Sequence, residues 1–451
     1  MATTTTTPPP TRSYKAVILL GGPQKGTRFR PLSLDCPKPL FPISGVPTVR
    51  HHIERLVKVR GLKEVLLIGF YQPSEIATFL RDAQRQFAPV NLRYLQEYAS
   101  LGTAGGLYHF RDQLSLGQPS AVFVVNCDVC GDLPLEGMAR FFDATPTALC
   151  LATREQSMNY GCIVVNKDNN EVMHYVEKPT TFVSASINCG VYLLRLPMID
   201  RLADAFRQRV QSQPSEILDP SAESLESLWF ERDIFPQLSA EAGNGLFFAY
   251  RTNRWWSQIK TAAAAIYANR HYLRLYRASR TSICGEELEE DGASALGRPS
   301  EDSDHGPADG PHIIADVYIH KTAKIAPTAK IGPNVSLGRN VVVGEGVRVR
   351  ESIVLDGSTL SDHSCVLHSI IGWGSVLGAW ARVEGTPLGP NPNTPFAKME
   401  NRPLFKRDGR LHPAITILGS GVQVAPETVV LNSIVLPHKE LSGSYANQII
   451  L

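Results

Sequence analysis

A six-residue period runs through the last third of the chain. From Ile319 an anchor recurs at Ile325, Ile331, Leu337, Val343, Val349, Leu355, Ser361, Leu367, Trp373 and Ala379, and only Ser361 is polar. A second set of small or apolar residues leads it by two positions: Ala323, Ala329, Val335, Val341, Val347 and Ile353. Glycine follows the anchor at Gly332, Gly338, Gly344 and Gly374. A hexad repeat of this kind builds a parallel β-helix, three hexads to a coil. The stretch GTPLGPNPNTPFAKMENRPLFKRDGRLHP after Glu384 is too irregular to be a coil, and the anchors resume at Ile417, Val429 and Val435. Residues 386–411 therefore read as an excursion from the scaffold, and long excursions are often functional. Five prolines, at 387, 390, 392, 395 and 403, stiffen it, and Lys398, Arg402, Lys406, Arg407 and Arg410 charge it. A stiff basic arm suits an acidic, phosphate-handling cleft on a neighbour.

The rest of the 451 residues leaves room for one or two further domains. Segments at Ala16–Leu20, Glu64–Gly69, Asn91–Tyr94, Ala121–Asn126 and Leu149–Thr153 read as strands, with amphipathic stretches such as Thr48–Val59 and Ser74–Phe87 between them. That alternation predicts a mostly parallel sheet with helices on both faces. Its ligands belong at the carboxyl ends of the strands. The expected organisation is a disordered tail over 1–13, an α/β domain over 14–280 and a linker over 281–311. A β-helix over 312–451 with its excursion at 386–411 completes it. Residues 211–227 read as a surface loop. A formal net charge of +2 sets up no broad field for nucleic acid or membrane. The tail has no apolar signal stretch, and no apolar run reaches the roughly 20 residues of a membrane span. The eight scattered cysteines read as reduced thiols of a cytoplasmic protein. Cys127 and Cys130 have CxxC spacing but no second pair, so chance explains them.

The chemistry is expected at Gly21–Pro31, GGPQKGTRFRP, which follows the Ala16–Leu20 strand. Glycines let the backbone approach an anion, and Arg28 and Arg30 add charge for phosphate oxygens. The sequence fits neither the P-loop ending nor the GxGxxG fingerprint. Asp128, just past the Ala121–Asn126 strand, could be a hard ligand for Mg²⁺ or could cap the next turn.

In full context, GGPQKGTRFRPLS leading to Pro37-Lys38-Pro39-Leu40 resembles the signature of the sugar-phosphate nucleotidyltransferases, with two extra residues between Gly22 and Gly26. The match runs from about Lys15 to Leu451. It is strongest to the α branch of the GDP-mannose pyrophosphorylases, through LIGFYQP, NYGCIV, WSQIK, HPAITILG and LNSIVLPHKEL. The resemblance implies a Rossmann-like nucleotidyltransferase domain followed by a left-handed parallel β-helix. It implies that Glu97, beside Leu101–Gly106, accepts from guanine. It also implies that Gly22, Gly102, Asp128 and Gly161 line a GDP-mannose pocket. Glu177 and Asn188 would bond sugar hydroxyls, while Arg28, Lys38 and Lys178 face phosphate. In active relatives a second metal carboxylate lies in a Trp-x-Asp motif; here that position is Gln258, and an amide is a poor substitute on Mg²⁺.

The implied protein is a regulatory subunit that binds GDP-mannose with no cofactor and damps a catalytic β partner, in homo- and hetero-oligomers. Its own catalysis would be absent or very weak. The alternative is a working mannose-1-phosphate guanylyltransferase with Asp128 alone holding Mg²⁺. An acyltransferase β-helix would need a histidine at a coil junction, for which His363 and His368 are the candidates.

Overall fold

The computed structural model describes residues 12–142, 147–155, 159–212, 227–279, 310–314, 316–400 and 402–451. The expected tail, the 211–227 loop and the linker fall largely outside them. Two compact units emerge. The first takes residues 12–22, 49–256 and 393–397, and the second takes 23–48, 257–392 and 398–451. Segments 23–48 and 257–279, which the sequence groups with the α/β domain, thus belong with the β-helix unit.

The first unit is built on a nine-stranded sheet. Its strands are β1 (Tyr14–Gly21), β2 (Leu62–Gly69), β3 (Asn91–Gln96), β4 (Ala121–Asn126), β5 (Ala148–Arg154), β6 (Cys162–Val165), β7 (Val172–Val176), β8 (Ser186–Leu194) and β9 (Phe247–Arg251). The main order is β7-β6-β8-β4-β1-β2-β3, with β5 pairing to both β8 and β9. β3, β2, β1 and β4 are parallel, as their continuous apolar runs predict. The sheet is mostly parallel, with two strands reversed: β8 runs antiparallel to β4, β5 and β6, and β7 runs antiparallel to β6. β8 therefore starts at the edge where β4 and β5 end. Val17, Leu66, Val124, Cys150, Tyr192 and Phe235 are among the buried residues of the core.

The second unit holds the β-helix, three stacks of short parallel strands. Its interior runs through Ile331, Leu337, Val343 and Val349, as the period predicts. It then continues through Val354, Leu360, Val366, Ile371, Leu377 and Val383, and resumes at Leu418, Val424, Val430 and Val435. The six-residue phase thus slips by one after Val349, and again after Val366 and Val430. Ser361, Leu367, Trp373, Ala379, Ile417 and Val429 are not the interior residues the periodicity suggested. Coils pair 18 residues apart at Val317↔Val335 but 17 apart at Ser336↔Ile353.

A short corner causes the slip. Glu351, His368 and Asn432 take φ of 49°, 46° and 45°, and each is followed by a fully buried serine. The hydroxyls of Ser352, Ser369 and Ser433 each donate to the carbonyl two residues back, at 2.7 Å. The left-handed residue turns the chain in one step fewer, and the serine hydroxyl braces the corner with a second hydrogen bond to a carbonyl that the next coil's amide already reaches.

The excursion leaves from this same corner. It departs after Arg382–Glu384 and returns at Thr416–Leu418, with the Thr386 amide donating to the Ala414 carbonyl at 2.9 Å. Helix α3 (Ala262–Ser279) packs in this unit through Asn269, which is fully buried. The Asn269 amide oxygen accepts from the Ser44 amide at 2.8 Å and the Ser336 hydroxyl at 2.7 Å. At Gly45, φ is 79° and the Tyr318 ring occupies the space of a Cβ, so only glycine fits there.

Candidate nucleotide-sugar site

Parallel strands put their carboxyl ends on one edge, and the predicted residues of the first unit gather there. Gly22 follows β1, Glu97 follows β3, Asp128 follows β4, and Asn188 lies near the start of β8. A Cβ on Gly22 would meet Phe70 at 3.0 Å. Gly102 has φ 84°, and a Cβ there would lie 2.3 Å from the Leu228 carbonyl, so this turn requires glycine.

Gly102 opens helix α2 (Gly102–His109), whose small residues allow close approach. A Cβ on Gly106 would sit 2.4 Å from a Glu97 carboxylate oxygen. Glu97 is only 6% exposed, so its carboxylate lies inside the unit against this glycine, not on the surface.

The residues expected to face the sugar form a hydrogen-bonded group. The Asn188 side-chain amide donates to the Tyr192 hydroxyl at 2.9 Å and the Tyr175 hydroxyl at 3.3 Å. Its oxygen accepts from the Gly190 amide at 3.0 Å. The Tyr175 hydroxyl donates to Glu177 at 3.0 Å. Asn188 thus spends both of its donors inside the protein, leaving a lone pair on its oxygen for a ligand. A Cβ on Gly161 would lie 2.2 Å from the Tyr175 hydroxyl and 2.6 Å from Glu177, so glycine there lets the carboxylate stand where it does. Lys178 pairs with Glu177 at 3.4 Å and has φ 47°, an uncommon backbone state for a lysine that holds it at this turn.

Sequence reasoning missed Glu231. It accepts from the Thr103 hydroxyl at 2.6 Å and the Tyr192 hydroxyl at 3.0 Å, and it lies on a π-helical turn, Phe230–Ile234. π-turns concentrate at functional sites, but no local pattern announces one. Burial pushes the Glu231 carboxyl above the usual range, opposed by the Thr103 hydrogen bond. Burial likewise raises Tyr175 and Tyr192, with Glu177 and Glu231 adding to it.

His52 was also missed. It is 2% exposed on helix α1 (Thr48–Leu56), and Nε2 lies 3.2 Å from the Cys127 carbonyl, beside Asp128. Cys127 and Cys130 are buried thiols that form no disulfide with each other.

Arg28, Lys38 and Gln258 belong to the second unit. Two 3₁₀ turns, Pro23–Lys25 and Thr27–Phe29, shape the glycine loop. Within the loop the Phe29 and Arg30 amides donate internally, to the Gly26 carbonyl at 2.9 Å and the Thr27 carbonyl at 3.2 Å. The residues added between Gly22 and Gly26 form the first of these turns. Arg28 is exposed, and the Lys38 ammonium lies 6.0 Å over the Phe29 ring. The Gln258 side-chain oxygen is buried and accepts no hydrogen bond from the described residues.

These donors do not fit a magnesium site of two carboxylates, because Gln258 offers only a neutral amide. Among the described residues, no group of three or more His, Cys, Asp or Glu side chains could hold a metal ion. Nor is any described helix long and apolar enough to cross a membrane. His363 stacks on Trp380 at 4.3 Å, the ordinary packing of a corner residue.

A Rossmann-like sheet in one unit and a β-helix in the other are the two folds that the resemblance to the nucleotidyltransferases implies. The model of the nucleotidyl transferase family matches residues 15–237, and that of the GMPPB C-terminal domain matches 313–450. The mannose-1-phosphate guanylyltransferase regulatory subunit alpha of Sus scrofa is 55% identical over 445 residues, covering 97% of this chain and all of the relative. The Homo sapiens protein of that name is 54% identical with the same coverage. The mannose-1-phosphate guanyltransferase alpha-A of Xenopus laevis is 53% identical over 444 residues, again covering 97% of this chain and all of the relative. The chain belongs to the family of mannose-1-phosphate guanylyltransferase regulatory alpha subunits.

Proposed function

We propose that the chain binds GDP-mannose without needing a metal and uses its occupancy to restrain a catalytic guanylyltransferase partner. One contrast supports this reading: Asn188 and Glu177 are held by internal hydrogen bonds and Glu97 is buried against Gly106, while Gln258 stands at the position where active relatives carry the second metal carboxylate. Glu97 takes the guanine N1–H and amino group, and a bidentate carboxylate suits that pair of donors. Glu177, Lys178 and the free lone pair of Asn188 take the mannose hydroxyls and phosphate.

The excursion carries the restraint to the partner. Residues 402–410 are all exposed, and Leu404 and Phe405 stand out 46% and 48% accessible among Arg402, Lys406, Arg407 and Arg410. Apolar side chains ringed by cations make a docking tip for an acidic cleft. To test this, residues 386–411 are replaced by a short Gly-Ser linker, and the variant is assembled with a catalytic guanylyltransferase subunit. Inhibition of the complex by GDP-mannose is expected to fall at least about tenfold in potency, a coupling typical of allosteric pairs. Undiminished inhibition would remove the arm from the signal.

A further inference from the structure

A continuous hydrogen-bond path, with Glu231 as a member, runs through this site from α2 to Glu177. It starts at Thr103, on the first turn of α2, the helix that Glu97 packs against. The Phe230 amide donates to the Thr103 oxygen at 3.0 Å, and the Thr103 hydroxyl donates to Glu231 at 2.6 Å. Tyr192 donates to the other Glu231 oxygen at 3.0 Å and accepts from Asn188 at 2.9 Å. Asn188 also donates to Tyr175 at 3.3 Å, and Tyr175 donates to Glu177 at 3.0 Å.

The direction of every bond is fixed. The Asn188 nitrogen can only donate, so both tyrosine oxygens accept from it and must send their own protons to the carboxylates. Tyr175, Tyr192 and Asn188 are buried, with Tyr192 at 0% exposure, so no water can take over a lost partner. Glu177 and Thr103 stand at the two ends, where solvent reaches them. Turning one hydroxyl leaves a buried group unpaired, and the path therefore moves as a unit.

We propose that Glu231 is a positioning residue that couples the guanine-facing and mannose-facing halves of the site, making it selective for an intact nucleoside diphosphate sugar over the nucleotide alone. This rests on the GDP-mannose reading above. Ordering of α2 by the guanine fixes Thr103, and through Glu231, Tyr192 and Asn188 that sets Glu177 for the sugar hydroxyls.

The test is calorimetry on the full chain with GDP-mannose and with GDP, comparing the ratio of the two dissociation constants. Thr103→Val, at the guanine end, is expected to shrink the wild-type ratio roughly tenfold, although it touches no sugar-side group. Tyr192→Phe is expected to do the same, and the double variant to be no worse than either alone, as for members of one network. Thr103→Ser keeps the hydroxyl and should hold the ratio within about twofold of wild type. An unchanged ratio in Thr103→Val, or losses that multiply in the double variant, would overturn the coupling while leaving the GDP-mannose reading intact. Wild-type protein that binds GDP as tightly as GDP-mannose would overturn the coupling alone, and wild-type protein that binds neither would overturn the GDP-mannose reading and the coupling with it.

Discussion

Given GTP, mannose 1-phosphate and Mg²⁺, the isolated chain is expected to release pyrophosphate at least about a thousandfold more slowly than the roughly 1–100 s⁻¹ of ordinary phosphoryl-transfer enzymes. Nucleotidyl transfer asks little covalent chemistry of a protein; it asks for alignment and for neutralised charge. A metal contributes several kcal/mol to that neutralisation, and each 1.4 kcal/mol is about tenfold in rate. Asp128 is present, but Gln258 stands where the second carboxylate is expected, and its amide has no charge to give. Gln258→Asp alone is expected to recover only part of the rate. The 3₁₀ turn at Pro23–Lys25 remains, and the Phe29 and Arg30 amides stay engaged within the loop. Full turnover in the wild-type chain would contradict the loss of function, and full rescue by the single change would show that the loop is harmless.

The second large effect is on stability below neutral pH. Burial lowers His52 from 6.5 to about 4, against the opposing pull of the Cys127 carbonyl, the Asp128 charge and the Val129 backbone. A group with a depressed folded pKa stabilises the fold above its unfolded value and loses that contribution as pH falls through the folded one. The stabilisation is therefore present above pH 6.5 and gone near pH 4, worth about 3 kcal/mol. His271 is lowered to about 4 by burial and its neighbouring Arg274, Arg270 and Lys398, and acts with the same sign. Glu54 acts oppositely, because burial raises its pKa. Denaturation followed at pH 7 and pH 4 should show the loss, and His52→Gln should flatten the slope by about that 3 kcal/mol, whatever its stability at pH 7. An identical slope in both proteins would show that His52 does not titrate on unfolding.

Much of this architecture could be read from the residues. The apolar runs at Ala16–Leu20 and Ala121–Asn126 are buried parallel strands, and the hexads from Ile325 to Val349 are a β-helix. The phase slip after Val349 could not be read from periodicity, because a single φ change at Glu351 carries it. Its trace was visible only as the recurring Ser-Ile pairs at Ser352, Ser369 and Ser433. The antiparallel entry of β8 was hidden for a related reason. A buried strand reads apolar in either direction, and only the tertiary pairing decides which way it runs. Within the site, Glu97, Asn188 and Glu177 stood out because short motifs flank them. Glu231 and His52 did not, since their importance comes from partners 128 and 75 residues away.

The account is tested most directly by titrating GDP-mannose into the full chain with a metal chelator present, alongside Glu97→Ala. Saturable binding is expected in the wild type, unchanged when Mg²⁺ replaces the chelator. The variant should bind more weakly by about 1.5–3 kcal/mol, the worth of a charge-assisted hydrogen-bonded contact. Binding that appears only with Mg²⁺, or a Glu97→Ala protein that binds as tightly as wild type, would contradict it.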